Sequence, residues 1–354
     1  MTRRNPTMRA MRNGVTLIEL LVVATIMLTL AAVSVPTIKP MMESQVSSHA
    51  AQTVSTYLER AKARAAATGR SCGVTFEYFE GTHDEDTGLG AASLVLRQVE
   101  EPPLFSGFSF GATATVSPDI DEYGHVGLLV YKDKRVNRVI DNEGTWGAYL
   151  RSDNRARIQF ESIGPFYPLI NVGGSYYIEK IPGIELPIYE NVSYKIARDP
   201  IATMTAPVGL AQGAVVDLEY SGTDSTPFNG GRDVTVMFTP SGEVDYVLYG
   251  DEKRTPSGTI YFLIGRWDRI PAVSAFELVT TEYGQETYAE DGLWNFEDGS
   301  NFWVAINPQT GVISTAEVDQ PFNVDLSDFD SRYETGAYES RTFVRFSKRN
   351  IGGR

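Results

Sequence analysis

Hydrophobic residues are concentrated in one continuous run near the start of the chain. Residues 15–35 form a stretch of 21 in which Glu19 is the only charged side chain. A helix of this length covers the hydrocarbon core of a bilayer, so the run predicts a transmembrane segment. An isolated carboxyl group inside such a segment costs about 2.5–3.5 kcal/mol on insertion scales, which makes Glu19 a candidate functional residue.

The residues before this run are basic. The first 14 residues contain four arginines and no acidic residue. A positive flank predicts that the N-terminus stays in the cytoplasm and that the rest of the chain is exported. Small residues at 31–35 could also form the cleavage site of an ordinary secretory signal, but that interpretation leaves Glu19 unexplained.

A second helical pattern follows in residues 41–69. Its apolar residues recur at steps of three and four, which places them on one face of an amphipathic helix. Pro36 and Pro40 disfavour a continuous helix between the two segments, and Gly69 is a plausible helix stop. If nearly straight, residues 15–68 would form a rod of about 80 Å whose second half docks on a globular head. The apolar face consists of Val46, Ala50, Val54, Tyr57, Leu58, Ala61 and Ala65.

Residues 70–354 have the pattern of a β-rich head. Turn-forming residues separate short runs of β-branched and aromatic residues, which predicts strands. The whole chain is therefore predicted to be α+β, with a long N-terminal α-helix packed on a large, mainly antiparallel β head. We expect an inner boundary near 221–231 and an insertion within 79–230. The predicted strands are 73–78, 92–98, 126–131, 157–160, 176–179, 215–220, 234–238, 245–249, 259–266 and 302–306.

Two of these runs begin similar strand–turn–strand units. Residues 234–244 and residues 302–314 each place Pro and then Gly between hydrophobic stretches. Because this order supplies turn geometry between strands, the sequence predicts two hairpins of the same form.

Residues 14–19 read Gly-Val-Thr-Leu-Ile-Glu and, with the basic leader, resemble the class III signal of type IV prepilins and type II secretion pseudopilins. The resemblance implies that a prepilin peptidase cleaves between Gly14 and Val15 and methylates the new amine of Val15. It also implies that Glu19, the fifth mature residue, pairs with the N-terminal amine of a neighbouring subunit in a filament. Pro36 falls where pilin helices often carry a proline, whereas Val15 departs from the usual phenylalanine. The alternative is a simple membrane anchor in which Glu19 stays protonated in lipid.

The helix end and the two hairpins favour an H-type minor pseudopilin or related minor pilin within that family. This implies a leader (1–14), a transmembrane stem (15–40), a docking helix (41–69) and a head (70–354). It further implies a single-pass inner-membrane protein with a periplasmic head, a structural subunit of a type II secretion pseudopilus. Its partners would be the prepilin peptidase and other pilins or pseudopilins. The alternatives are a type IV pilus minor pilin whose head binds a secreted protein, a glycan or DNA, and, less favoured, a tethered enzyme.

Charge argues against general nucleic-acid binding. The formal net charge is −14, and without the four leader arginines 27 basic residues face 45 acidic ones. The last 15 residues are instead basic, which suggests either a DNA-binding strip or a final strand with a frayed tail, and the acidic head favours the second interpretation. The basic residues of this tail are Arg341, Arg345, Lys348, Arg349 and Arg354.

Candidate chemistry is sparse, and we expect no catalytic residue and no enzymatic activity. Cys72 is the only cysteine, so no internal disulfide can form, and its place at the start of a strand predicts a small buried residue. The three histidines, His49, His83 and His125, belong to no zinc or nucleophile motif.

We expect no cofactor, and calcium is the only metal that the sequence suggests. Loop 82–88 is rich in the oxygen ligands that calcium prefers, but its spacing is not that of an EF-hand. The chain has a second acidic cluster, and solvated loops explain both clusters better. This second cluster consists of Asp119, Asp121 and Glu122.

Overall fold

The structure is a computed structural model of the chain, and it describes about two thirds of the residues. The described ranges are 17–79, 91–107, 111–120, 126–133, 138–139, 156–172, 175–178, 189–211, 213–223, 227–228, 232–250, 252–270, 278–280, 286–288, 294–319 and 336–345.

One long helix, α1 (Leu17–Thr68), precedes a series of strands, and a short helix, α2 (Ala337–Glu339), follows them. The strands in chain order are β1 (Cys72–Tyr78), β2 (Ala92–Glu100), β3 (Thr113–Ile120), β4 (Val126–Asp133), β5 (Arg138–Val139), β6 (Arg157–Phe160), β7 (Tyr167–Val172), β8 (Ser175–Ile178), β9 (Tyr194–Ala197), β10 (Ile201–Ala202), β11 (Val208–Gly209), β12 (Ala214–Thr223), β13 (Val234–Phe238), β14 (Val244–Tyr249), β15 (Glu252–Arg254), β16 (Ile260–Arg266), β17 (Leu278–Thr280), β18 (Glu286–Tyr288), β19 (Phe302–Ile306) and β20 (Ile313–Glu317).

The predicted α+β class with mainly antiparallel strands is confirmed. Among the described residues the largest sheet has the order β15-β14-β13-β1-β2-β12-β16-β19-β20, and β10 and β11 also pair with β2. Each pair in this sheet is antiparallel. Each of the predicted runs falls on a strand of the structure.

The second half of α1 lies against this sheet. The helix continues through Pro36 and Pro40, contrary to the predicted interruption, because each proline removes a single backbone donor and leaves the rest of the helical ladder in place. Gly69, with a φ of 64°, ends the helix. The helix residues in the main hydrophobic core are those that the three-and-four spacing selects, together with one neighbour. They are Ala50, Ala51, Val54, Tyr57, Leu58, Ala61 and Ala65, with Val46 partly buried at their edge.

Central strands of the sheet are covered on both faces. In β16, Ile260, Phe262 and Ile264 belong to the core under α1, whereas Tyr261 and Leu263 belong to a second cluster on the opposite face. The alternation follows from the two-residue period of a strand. The segment 336–345, which includes α2, contributes Ala337 and Val344 to this second cluster.

A second sheet is inserted between β2 and β12. It has the order β3-β4-β8-β7-β6-β9, with β5 beside β4. Its hydrophobic cluster is separate from the main core and includes Ile158, Phe160 and Ile196. The chain then returns along β2 through β10 and β11. In the stretch 221–231, where the sequence suggests an inner boundary, the structure describes residues 221–223 and 227–228, and Phe228 belongs to the main core.

The two predicted hairpins are confirmed as β13–β14 and β19–β20, and their turns meet. The backbone amide of Val244 donates to the carbonyl oxygen of Pro308 at 2.8 Å. Nζ of Lys62, from α1, donates to the carbonyl oxygen of Gly311 at 2.7 Å. A Cβ atom at Gly311 would lie 1.7 Å from the carbonyl oxygen of Gly242, so this approach requires glycine. The sheet therefore curves until two hairpins that lie far apart in strand order touch each other and the helix.

Candidate functional site

The first half of α1 presents an uncovered apolar surface. Every residue from 17 to 30 is exposed, and the exposed fraction reaches 84% at Leu17 and 71% at Leu28. The hydroxyl groups of Thr25 and Thr29 donate to backbone carbonyl oxygens of the helix itself, at 2.8 and 2.9 Å. We call residues 17–30 the apolar rod. A helix that is apolar on all sides is typical of a segment covered by lipid or by other helices.

Glu19 lies in the first turn of α1, at the start of this rod. Acidic side chains are favoured in the first turn of a helix, where they face the positive end of the helix dipole. Its neighbours along the chain are Ile18 and Leu20, with exposed fractions of 69% and 66%. The other two predicted site residues, Gly14 and Val15, lie outside the described residues.

Among the described residues, no helical stretch combines the length and the apolar character needed to cross a membrane.

A chain of buried polar side chains marks the place where α1 enters the head. Oγ of Ser47 donates to Oδ1 of Asn301 at 2.9 Å, and the Asn301 amide donates to the backbone and side-chain oxygens of Asn295. Nδ2 of Asn295 donates in turn to Oδ2 of Asp217 at 2.9 Å. All four residues are fully buried. Because buried polar groups are costly without partners, this connected chain fixes the position of each member.

Asp217 shapes a wide bulge in β12. The register of β12 against β16 shifts between Asp217 and Gly222. Oδ1 of Asp217 accepts hydrogen bonds from the backbone amides of Glu219 and Tyr220, at 3.1 and 3.3 Å. Ser221 closes the bulge, since its hydroxyl donates to the Asp217 carbonyl oxygen and accepts from the Leu263 amide. Burial raises the pKa of Asp217 to about 7, although the hydrogen bond from Asn295 acts in the opposite direction.

Asp217 is not among the predicted site residues, although the sequence contains one signal for its hydrogen-bond network. Asp217 lies between Val216 and Leu218 in an otherwise apolar strand, and a carboxyl group there must find buried donors. Its partners at 295 and 301 could not be identified, because their distance along the chain follows no local pattern.

The structure corrects the prediction that the basic tail forms a final strand. Segment 336–345 is helical rather than a final strand, and Arg341 is only 6% exposed. Its guanidinium lies 4.7 Å from the ring centroid of Tyr261 and 4.9 Å from that of Trp303. It also donates to the carbonyl oxygens of Tyr220 and Thr223. Arg341 is therefore a packing residue of the second face and is not displayed for phosphate contacts.

Arg345, the next basic residue of this tail, also lies against an aromatic ring. The guanidinium of Arg345 lies 3.6 Å from the ring centroid of Tyr338. Lys348, Arg349 and Arg354 lie outside the described residues.

Of the remaining candidate residues, the structure describes Cys72 and His49 with their side chains. Cys72 is fully buried at the start of β1, as predicted, with its sulfur 3.6 Å from the hydroxyl of Thr68. His49 lies in an open groove of about 280 Å³ between α1 and β11. His83, His125 and loop 82–88 lie outside the described residues. So do Asp121 and Glu122, and the structure describes only the backbone of Asp119.

No group of metal-ligating side chains occurs in the part of the chain that the structure describes.

Charged groups from both sheets act electrostatically on Glu101, which follows β2. Partial burial raises the pKa of Glu101, whereas the positive charges of Lys253 in β15 and Arg157 in β6 act in the opposite direction. Arg157, from β6 of the inserted sheet, interacts electrostatically with both Glu101 and Lys253. The ammonium group of Lys253 lies 3.4 Å from the ring centroid of Tyr246.

No family model, curated protein or solved structure matches the chain.

Proposed function

We propose that the chain is a minor pseudopilin, a structural subunit of a type II secretion pseudopilus that is processed by a prepilin peptidase. The observation that carries the proposal is the division of α1 into an apolar rod and a half that is packed in the head. In this proposal the rod is the stem of the subunit, first in the inner membrane and then among other pilin helices. The head lies in the periplasm, and the N-terminus begins in the cytoplasm.

Glu19 has the chemistry that assembly requires. A carboxylate among apolar side chains is costly when alone and tolerable when it is paired with a cation. Cleavage after Gly14 would create an amine at Val15, four residues before Glu19. The same amine on a neighbouring subunit would neutralise Glu19 and fix the register between the two stems.

The proposed role is structural and requires no catalytic residue, no cofactor and no nucleic acid. Its partners are the prepilin peptidase, which acts at Gly14 and Val15, and the other pilins or pseudopilins of the filament. The inner membrane covers the rod before assembly.

A second candidate function is supported by the inserted sheet. A second sheet with its own hydrophobic cluster adds surface that packing α1 does not require. This favours, as the alternative, a type IV pilus minor pilin whose enlarged head binds a secreted protein, a glycan or DNA.

The test is coexpression of the full chain with a prepilin peptidase and a major pseudopilin. We expect intact-mass spectrometry to show loss of residues 1–14 and an N-methylated Val15. In Glu19→Ala, cleavage and membrane insertion should persist, while crosslinking to the major subunit should fall strongly, because the partner of the Val15 amine is gone. Thr16→Ala is the matched control in the same segment. A mature terminus near Ser34, or full crosslinking in Glu19→Ala, would contradict the proposal.

A further inference from the structure

We propose that the chain of side chains Ser47–Asn301–Asn295–Asp217 is a proton-controlled latch that couples the charge of one carboxyl group to the seating of α1 on the sheet. We call these four residues the latch. The inference goes beyond the proposed assembly role and does not rest on it, because it concerns contacts within one chain.

The geometry of the latch allows only one arrangement of its amides. The side-chain oxygen of Asn295 accepts from the Arg266 backbone amide at 2.8 Å, and its nitrogen donates to the Arg266 carbonyl oxygen at 3.1 Å. A reversed amide would lose both hydrogen bonds. Gly265 provides the space, since a Cβ atom there would lie 2.3 Å from the Asn295 oxygen. The nitrogen of Asn295 therefore points to Asp217 as a donor, and a change at Asp217 reaches α1 through Asn301.

Asp217 is the titratable member of the latch. It is fully buried, and within the described residues its three hydrogen-bond donors are neutral N–H groups. These donors favour the carboxylate and lower its pKa, but burial raises the pKa by more than they lower it. The nearest charge on its own strand is Glu219, which opposes ionisation.

In the described part of the chain, the charged groups on the other elements around Asp217 are engaged elsewhere. On β16 the guanidinium of Arg266 is paired with Asp268. On the turn that carries Asn295, the Glu297 carboxylate accepts from the Trp294 amide. From the C-terminal segment, Arg341 donates to the backbone of the bulge rather than to the carboxylate.

The remaining groups near the latch are accounted for in the same way. Beyond Glu297, Asp298 is paired with Arg269 at 2.6 Å. From β2, Ala92 and Ser93 lie opposite this part of β12 and carry no charge. From α1, Ser47 carries no charge, and His49, two residues on, is exposed, while the structure describes only the backbone of Glu43, one turn before Ser47.

Ionisation therefore places an unneutralised charge in the core. Such a charge is stabilised by admitting water, and the site that can open is the bulge at 217–221, where the sheet ladder is already interrupted. When the bulge opens, Asn295 loses its acceptor, and the hydrogen bond between Asn301 and Ser47 loses its support. The part of α1 around Ser47 then separates from the head.

The direction of the pH effect follows from linkage. Burial raises the pKa of Asp217 to about 7 in the folded state, well above its ordinary value of 3.8. Between about pH 4 and about pH 7, Asp217 therefore stays protonated in the folded state, whereas it is ionised in the opened state. The stabilisation is complete below pH 4 and is lost as the pH rises through about 7.

The test is hydrogen–deuterium exchange of the full chain in detergent between pH 5.5 and 7.5, with rates divided by intrinsic exchange rates. We expect protection of residues 44–58 to fall roughly 20-fold over this range in the wild type. In Asp217→Asn the pH dependence of this protection should disappear, because residue 217 no longer titrates. Glu297→Gln is the matched control, a buried carboxyl-to-amide change in the same turn as Asn295, and it should keep the wild-type dependence.

Ser47→Ala tests the coupling if Asp217→Asn does not fold, since an amide at 217 would face the Asn295 amide. In this variant Asp217 still titrates, so residues 214–223 should keep their pH dependence while residues 44–58 lose it. The latch is disproved by a wild type without pH dependence, by an Asp217→Asn variant that keeps it, or by a Ser47→Ala variant in which residues 44–58 respond as in the wild type.

Discussion

The two halves of α1 belong to one helix, yet they meet different surroundings. In the apolar rod, residues 17–30 are all exposed, and large side chains such as Leu21 remain 57% exposed. In the second half, Leu58 and Val54 are fully buried. The two halves differ in how apolar and polar residues are arranged around the helix. A rod that is apolar on all sides has no polar face to turn outward. The second half is amphipathic, so one curved sheet can cover its apolar face while its polar face stays in solvent.

One helix can thus carry two separable tasks. The second half supplies the core that the sheet closes on, and its removal should affect folding. No residue of the rod belongs to the described core clusters. Substitutions in the rod should therefore affect association with the membrane or with other subunits and leave folding intact.

The largest expected effect is the loss of the second half of α1. A chain that begins at Met41 should fold and melt cooperatively, whereas one that begins at Arg70 should show no cooperative transition. Burial of a large side chain contributes about 1.5–3 kcal/mol, so losing Val54, Tyr57 and Leu58 rivals the stability of a whole domain. Circular dichroism during heating measures both transitions. Equal melting temperatures would show that the helix does not stabilise the head.

A single substitution in each half of α1 tests whether folding depends on one half only. Leu58→Ala should lower the free energy of unfolding by about 2–5 kcal/mol, because it leaves a cavity in the main core. Leu21→Ala removes the same atoms from the rod and should change it by less than about 0.5 kcal/mol. Urea denaturation of the full chain in detergent gives both values. Similar losses at the two positions would contradict the separation of tasks.

The smallest effect should locate the junction between the halves. Ser47→Ala leaves the Asn301 oxygen without its donor from α1, which should cost about 1–3 kcal/mol at neutral pH. Ser48→Ala, at the adjacent exposed position, should be within about 0.5 kcal/mol of the wild type. The same urea titrations check this pair. If both serines behaved alike, the helix would not enter the head at Ser47.

Strands with a regular hydrophobic pattern were predictable from the sequence, and irregular ones were not. The hairpin that begins at Val234 was predicted because Pro240 and Gly242 interrupt two apolar runs. β3 and β7 were missed because each contains a proline, Pro118 and Pro168, which is depleted in strands since it donates no hydrogen bond.

By itself the sequence determined the local features of this protein: the apolar rod with its single carboxyl group, the buried face of the second half of α1, and the α+β class. These depend on the order and spacing of neighbouring residues, which backbone geometry converts directly into faces and turns. Only the tertiary structure decided that Lys62 meets the turn at Gly311, that Arg341 packs between Tyr261 and Trp303, and that Asp217 reaches Ser47 through two asparagines. Those contacts join residues up to 254 positions apart, and their partners are fixed by how the sheet curves around the helix, which no local pattern records.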